Sequence, residues 1–265
     1  MCLAVIAVDF LQDWPLIIVA NRDEYHERPT AALGPWQDKN DKVFAGRDLK
    51  AGGTWLGANT LGRIALLTNY REPGRHNTDA ASRGQLVEKF LDGVEETPSY
   101  LNSVLDGMQA YNGFNLLLSD HDRVWFLSNR MTDINTNTPL SSGVYGLSNA
   151  TLDTPWPKLT RTRDAVRLYL QTTTEPTPAV LFDIFADWTK SPDDQLPMTG
   201  LPLERERQLS SPFIVDPVYG TRSTSIIFKH RSGLLRMMER SFDSQGHMVD
   251  QQDWAVEQQA CPIAD

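Results

Sequence analysis

The sequence predicts an α+β protein, a four-layer αββα sandwich formed as one domain over residues 1–265. Three observations predict it. Strand signals come in hairpin blocks, near 1–24, 43–69, 114–149 and 224–240. Helix signals come in pairs between those blocks, 82–91 with 97–108 and 158–170 with 179–188. No repeat, low-complexity tract or linker divides the chain. Strand blocks with segregated helix pairs distinguish α+β from alternating α/β. Two antiparallel sheets, face to face and each backed by a helix pair, account for the whole order.

The first block justifies itself residue by residue. Cys2 to Phe10 and Leu16 to Ala20 are apolar runs of strand length, and Gln12-Asp13-Trp14-Pro15 turns the chain between them. That pattern is a buried β-hairpin, and it runs into the charged cluster Asn21-Arg22-Asp23-Glu24. Residues 25–42, polar and proline-rich, read as a long loop. Val43 to Gly46 is a short strand, Ala51 to Asn59 a glycine-rich strand, and Arg63 to Asn69 its return. Leu86, Val87, Phe90 and Leu91 share one helical face, and Thr97 with Pro98 marks the start of the next helix. Strands follow at 114–118, 124–127 and 143–149. Helical spacing covers Lys158 to Leu170 and Ala179 to Trp188, and a short charged helix covers 203–209. Two strands, 224–228 and 234–240, close the order, and the tail from Gln251 carries no firm pattern.

Composition limits the function classes. The chain is 40% hydrophobic and 22% charged with a net charge of −9, which argues against a broad nucleic-acid or anionic-membrane surface. Its two cysteines, Cys2 and Cys261, make no disulfide framework and suit a reducing, cytoplasmic setting. The N-terminus lacks a basic start and Asp9 interrupts its apolar run, so no targeting segment is expected. No apolar stretch approaches the ~18 residues of a membrane span.

The chemistry-bearing residues gather at strand ends. Cys2 directly follows the initiator methionine and has a side chain small enough for that methionine to be removed. A thiol and a free α-amine, which titrates near ~8, would then share one residue, the arrangement of an N-terminal nucleophile. Cys2 equally suits a small hydrophobe opening a strand. Asn69 and Asn149 each end a strand after a hydroxyl residue, and a neutral amide is a good oxyanion donor; Asn also favours turns. Arg22 could lower the thiol pKa and Asp23 could hold an amine, or the cluster is simply solvated. Arg222, entering a late strand, could bind a carboxylate or pair with an acid. The glycines of 52–62 fit neither the phosphate loop nor the dinucleotide fingerprint. His26, His76, His121, His230 and His247 have no metal-ligand spacing, and no haem-attachment motif is present. Neither a metal nor a required cofactor is expected.

At Met1-Cys2-Leu3, Asn21-Arg22-Asp23-Glu24, Gly53-Thr54-Trp55-Leu56-Gly57, Phe114-Asn115-Leu116-Leu117 and Gly146 to Pro157, the chain resembles the NRDE family, named for that tetrapeptide. The family includes the animal transport and Golgi organisation proteins. It is similar in turn to the N-terminal-nucleophile hydrolases, among them penicillin V acylases and bile-salt hydrolases. The resemblance implies the αββα fold, with Cys2 as nucleophile and Asn149 as an oxyanion donor. It implies, more loosely, Asn69 as a second donor and Arg222 as a late arginine of the site. One position departs from the pattern: Arg22 and Asp23 are adjacent, whereas those enzymes space Arg and Asp three apart, and Tyr25 stands where that Asp would be. The implied activity is hydrolysis or acyl transfer on an amide or thioester. The alternative is a non-enzymatic haem carrier, or a lipid and acyl-CoA homeostasis factor, on the same fold.

Overall fold

A computed structural model describes residues 2–39, 42–132 and 135–256; Cys261 lies outside them. Two six-stranded antiparallel sheets form the centre. The first has the order β12-β11-β10-β2-β1-β9 and the second β3-β4-β5-β6-β7-β8. The first is built from β1 (Cys2–Val8), β2 (Leu16–Tyr25), β9 (Gly143–Leu147), β10 (Tyr219–Lys229), β11 (Leu235–Phe242) and β12 (Met248–Val256). The second uses β3 (Thr30–Pro35), β4 (Val43–Asp48), β5 (Leu56–Asn59), β6 (Ile64–Asn69), β7 (Phe114–Asp120) and β8 (Arg123–Ser128). The helices are α1 (Gly84–Asp92), α2 (Thr97–Gly107), α3 (Pro157–Leu170), α4 (Pro178–Phe185) and α5 (Leu203–Gln208).

Period-two alternation explains the layering. Successive side chains of a strand point to opposite faces. In β1, Ala4, Ile6 and Val8 join Leu56, Ile64, Leu66 and Leu117 in the core between the sheets. Leu3, Val5 and Ala7 instead meet Leu159, Val166, Leu181 and Phe182 of α3 and α4. In the second sheet Ala65, Leu67, Leu116 and Leu118 pack against Leu86, Phe90, Leu101 and Val104 of α1 and α2. Both faces of β1, β2, β6 and β7 are therefore covered, which is why those strands read as unbroken apolar runs. The result is the α+β sandwich of four layers that the sequence predicts.

Several boundaries differ from the sequence reading. The expected loop 25–42 contains β3, an edge strand. Pro29 and Pro35 read as breakers, but an edge position tolerates a missing donor. The glycine-rich strand begins only at Leu56, since residues 49–55 turn. Thr97 does not cap α2 through its side chain; its hydroxyl donates to Asp120 Oδ2 at 3.2 Å. Helix α4 stops at Phe185 and leaves Trp188 exposed. β12 is a polar edge strand over the segment that carries no firm pattern in sequence.

The second sheet and α1 approach each other closely at one point. A Cβ on Gly53 would lie 2.4 Å from the carbonyl carbon of Gly84, the first residue of α1. Backbone on both sides leaves no side chain to yield. Gly53→Ala is expected to cost about 1–3 kcal/mol by overpacking, read as a lower urea midpoint without loss of the m-value.

Candidate active site

The first hairpin places two of the sequence-selected residues side by side. Cys2 pairs directly with Arg22 across β1 and β2. Both have the parity of Ala4 and Ile18, so both stand on the face between the sheets. They line one cavity of about 290 Å³, together with Trp55, Asn69, His76, Arg83 and others. Arg22 is 6% exposed, and its guanidinium lies 4.1 Å over the centroid of the Trp55 ring.

Strand alternation turns the Arg22 and Asp23 side chains to opposite faces, although both residues line the Cys2 cavity. The Asp23 side chain takes the parity of Val19 and Asn21, on the side of α3 and α4. There Thr221 Oγ1 donates to Asp23 Oδ1 at 2.8 Å, and Tyr219 Oη donates to the Asp23 carbonyl at 2.9 Å. Burial pushes the Asp23 carboxyl up, and the charge of Lys158 is the strongest influence the other way. The two residues adjacent in sequence thus serve opposite faces of one strand.

The two asparagines are also treated differently. Asn69, at the end of β6, lines the Cys2 cavity. Asn149 is fully buried and is not among the residues lining it. Its Nδ2 donates to the Asn69 carbonyl at 2.8 Å, and its own carbonyl accepts from the Arg71 amide at 2.6 Å. Around it, Thr68 Oγ1 donates to the Ser148 carbonyl at 2.7 Å, and Ser148 Oγ donates to the Cys2 carbonyl at 3.0 Å. Asn115 Nδ2 donates to Thr68 Oγ1 and to the Ala150 carbonyl. These bonds tie the end of β6 in one sheet to the end of β9 in the other, beside Cys2.

Arg222 does not join this group. It is the extra residue of a β-bulge, since Thr221 pairs with Asp23 and Ser223 with Arg22. The bulge turns it to the loop after β2, where Nη1 donates to the carbonyls of Tyr25, His26 and Arg28. It lines a separate cavity that lacks Cys2.

The sequence reading missed a buried charged group behind Cys2. Lys158, in the first turn of α3, is 2% exposed, and its Nζ makes no hydrogen bond among the described residues. Burial pushes its pKa down to about 8, against the pull of Asp23. Arg71 lies with it in a small internal space, paired with Glu206 at 2.6 Å and stacked 4.6 Å from the Trp156 centroid. One sequence signal marked Lys158: a cation in the first turn of a helix opposes the macrodipole.

The resting thiol is neutral. Burial pushes the Cys2 pKa up and the Asp23 charge adds to that; Arg22 and a hydrogen bond from the Asp23 backbone oppose it. Attack would need a base. Among the described residues no group of three or more His, Cys, Asp or Glu is arranged to hold a metal ion, and no helix is long and apolar enough to cross a membrane.

Comparison with known proteins places the chain. The family model described as Transport and Golgi organisation 2 matches residues 1–244. The chain belongs to that family. It is similar to the Transport and Golgi organization protein 2 homolog of Bos taurus, 36% identical over 246 residues, covering 85% of this chain and 86% of that protein. The Homo sapiens homolog is 34% identical over 246 residues, with 85% and 86% covered. Among solved structures, the conjugated bile acid hydrolase of Clostridium perfringens overlays with a TM-score of 0.44 at 8% identity, covering 100% of each chain. The Caenorhabditis elegans N-acylethanolamine-hydrolyzing acid amidase ortholog gives 0.47 at 9%, covering 85% of this chain and 92% of that one. At these TM-scores no residue role is carried over.

Lys158 makes a pH prediction. Its folded pKa, about 8, lies below the ~10.4 of an unfolded lysine. Between those values the unfolded chain binds more protons, so stability gains with rising pH. Relative to Lys158→Met, the wild type should gain about 2 kcal/mol from about pH 7.5 to about pH 10. Urea unfolding of both proteins at the two pH values checks this; parallel curves would remove the buried, depressed lysine.

Proposed function

We propose that the protein is a cysteine hydrolase of the N-terminal-nucleophile type, acting on an amide or thioester in a reducing, cytoplasmic compartment. The observation that carries this reading is the cross-strand pair of Cys2 and Arg22 on the wall of one cavity with Asn69. In this reading Met1 is removed and the new α-amine of Cys2 takes the thiol proton. Arg22 favours the thiolate so formed. The thiolate adds to the substrate carbonyl, and the Asn69 amide, held from behind by Asn149, donates to the oxyanion. Collapse expels an amine or thiol, which takes the proton from the α-ammonium. Water then hydrolyses the acyl thioester on Cys2 by the same base. Asp23, on the other face, sets the charge beneath the nucleophile, with Lys158 as its counter-charge.

The haem-carrier reading has one observation in favour: Cys2 and His76, both of donor types that ligate haem iron, line the same cavity. The fit is otherwise poor. The wall also carries Arg22, Glu24, Arg28, Asp48 and Arg83, whereas a porphyrin face needs apolar walls.

Two measurements test the hydrolase. Intact mass of the purified protein should lack one methionine residue, and an acyl thioester probe should leave a covalent adduct that Cys2→Ala abolishes. Asn69→Ala should lower the rate of capture by about 10²–10³. Capture undiminished in a chain that retains Met1 would remove the α-amine from the mechanism. Titration with haem should give only weak, non-saturating change in the Soret band; a saturable shift lost in His76→Ala would favour the carrier instead.

A further inference from the structure

A second cavity, of about 260 Å³, shares Arg22 and Trp55 with the Cys2 cavity but does not include Cys2. Arg222, Ser223 and Glu239 complete the part of its wall that matters here. Two guanidinium groups face it, and their donors are incompletely used. Arg22 is more than nine-tenths buried, and among the described residues its Nη1 has no hydrogen-bond partner. Arg222 spends Nη1 on three loop carbonyls, and its buried Nε has no partner among the described residues. Among the described residues neither arginine has a carboxylate within ion-pair distance, although Arg28, Arg63, Arg71 and Arg130 all do.

The local electrostatics point the same way. Burial and then the charge of Arg22 disfavour the charged form of Arg222, against a smaller pull from Glu24, so the two cations repel each other. The acid beside them offers little relief. Both oxygens of Glu239 already accept bonds, from the Leu33 amide at 2.9 Å and from Ser225 Oγ at 2.7 Å. Burial also pushes its carboxyl up, toward the neutral form. A buried guanidinium donor left without an acceptor is costly, and a planar guanidinium matches a carboxylate or phosphate through two parallel bonds.

We propose that this second cavity is a binding site for a small oxyanion, a carboxylate or phosphate group, held between Arg22 and Arg222. The inference rests on the two arginines and does not depend on hydrolysis at Cys2. It carries a linked effect. Arg22 also stabilises the Cys2 thiolate, so an anion bound on Arg22 weakens that pull and raises the thiol pKa. Anion binding and thiolate formation oppose each other across one side chain.

The test uses the full chain at constant ionic strength, titrated with acetate, phosphate or chloride by calorimetry. Acetate, phosphate or both should saturate where chloride does not, and which one does so identifies the oxyanion. Arg222→Met should weaken that binding at least about tenfold, since a charge-assisted hydrogen bond is lost. Should that variant fail to fold, the Nε–H resonance of Arg222 in the wild type decides: it should shift saturably with the oxyanion. Iodoacetamide alkylation of Cys2 should slow as the site fills. The proposal is overturned if acetate and phosphate behave as chloride does, or if binding survives Arg222→Met unchanged.

Discussion

Everything in this molecule depends on β1 and β2 being covered on both faces. A strand in the middle of a two-sided sheet has no solvent side, so its period of two divides residues between two interiors. Ala4 and Ile6 fall between the sheets; Leu3 and Val5 fall under α3 and α4. A slip of one residue would exchange the two sets, and with them Cys2 and Arg22 would leave the cavity for the helical layer. Register is therefore also the positional control on the chemistry. The hydrogen bonds from Thr68 and Asn149 across to the other sheet's strand ends hold the second wall against the first.

That division gives adjacent residues separate work. Arg22 and Asp23 look in sequence like a single charged cluster. In the fold Arg22 meets Trp55 and Cys2, while Asp23 meets Thr221 and the field of Lys158. The positive charge beside the thiol and the negative charge beneath it act on Cys2 in opposite directions.

The layers of the fold were legible because apolar runs and helical faces report burial directly. Cys2, Arg22 and Asn69 were legible because strand ends of matched parity converge where the sheets open. What escaped did so for local reasons. β3 and β12 are edge strands, where prolines and charges are tolerated and no apolar run is required. Arg222 lines a different cavity from Cys2 because of a bulge, which has no signature in the residues around it and changes the direction of a side chain. Lys158 resembles a solvated lysine at a helix start. The packing of α3 over β1 and β9, with Arg71, Glu206 and Leu209 around it, buries it. Asn149 shares the strand-end pattern of Asn69, yet the fold uses its amide to hold Asn69 from behind.

One consequence follows from the place of β1 in its sheet. β1 lies between β2 and β9, and its first residue, Cys2, is 8% exposed on the cavity wall. Any polypeptide joined ahead of Cys2 starts from a residue of the cavity wall. A purification tag fused there would act as a tethered plug at high effective concentration. Handles for handling or imaging this protein belong at its other end.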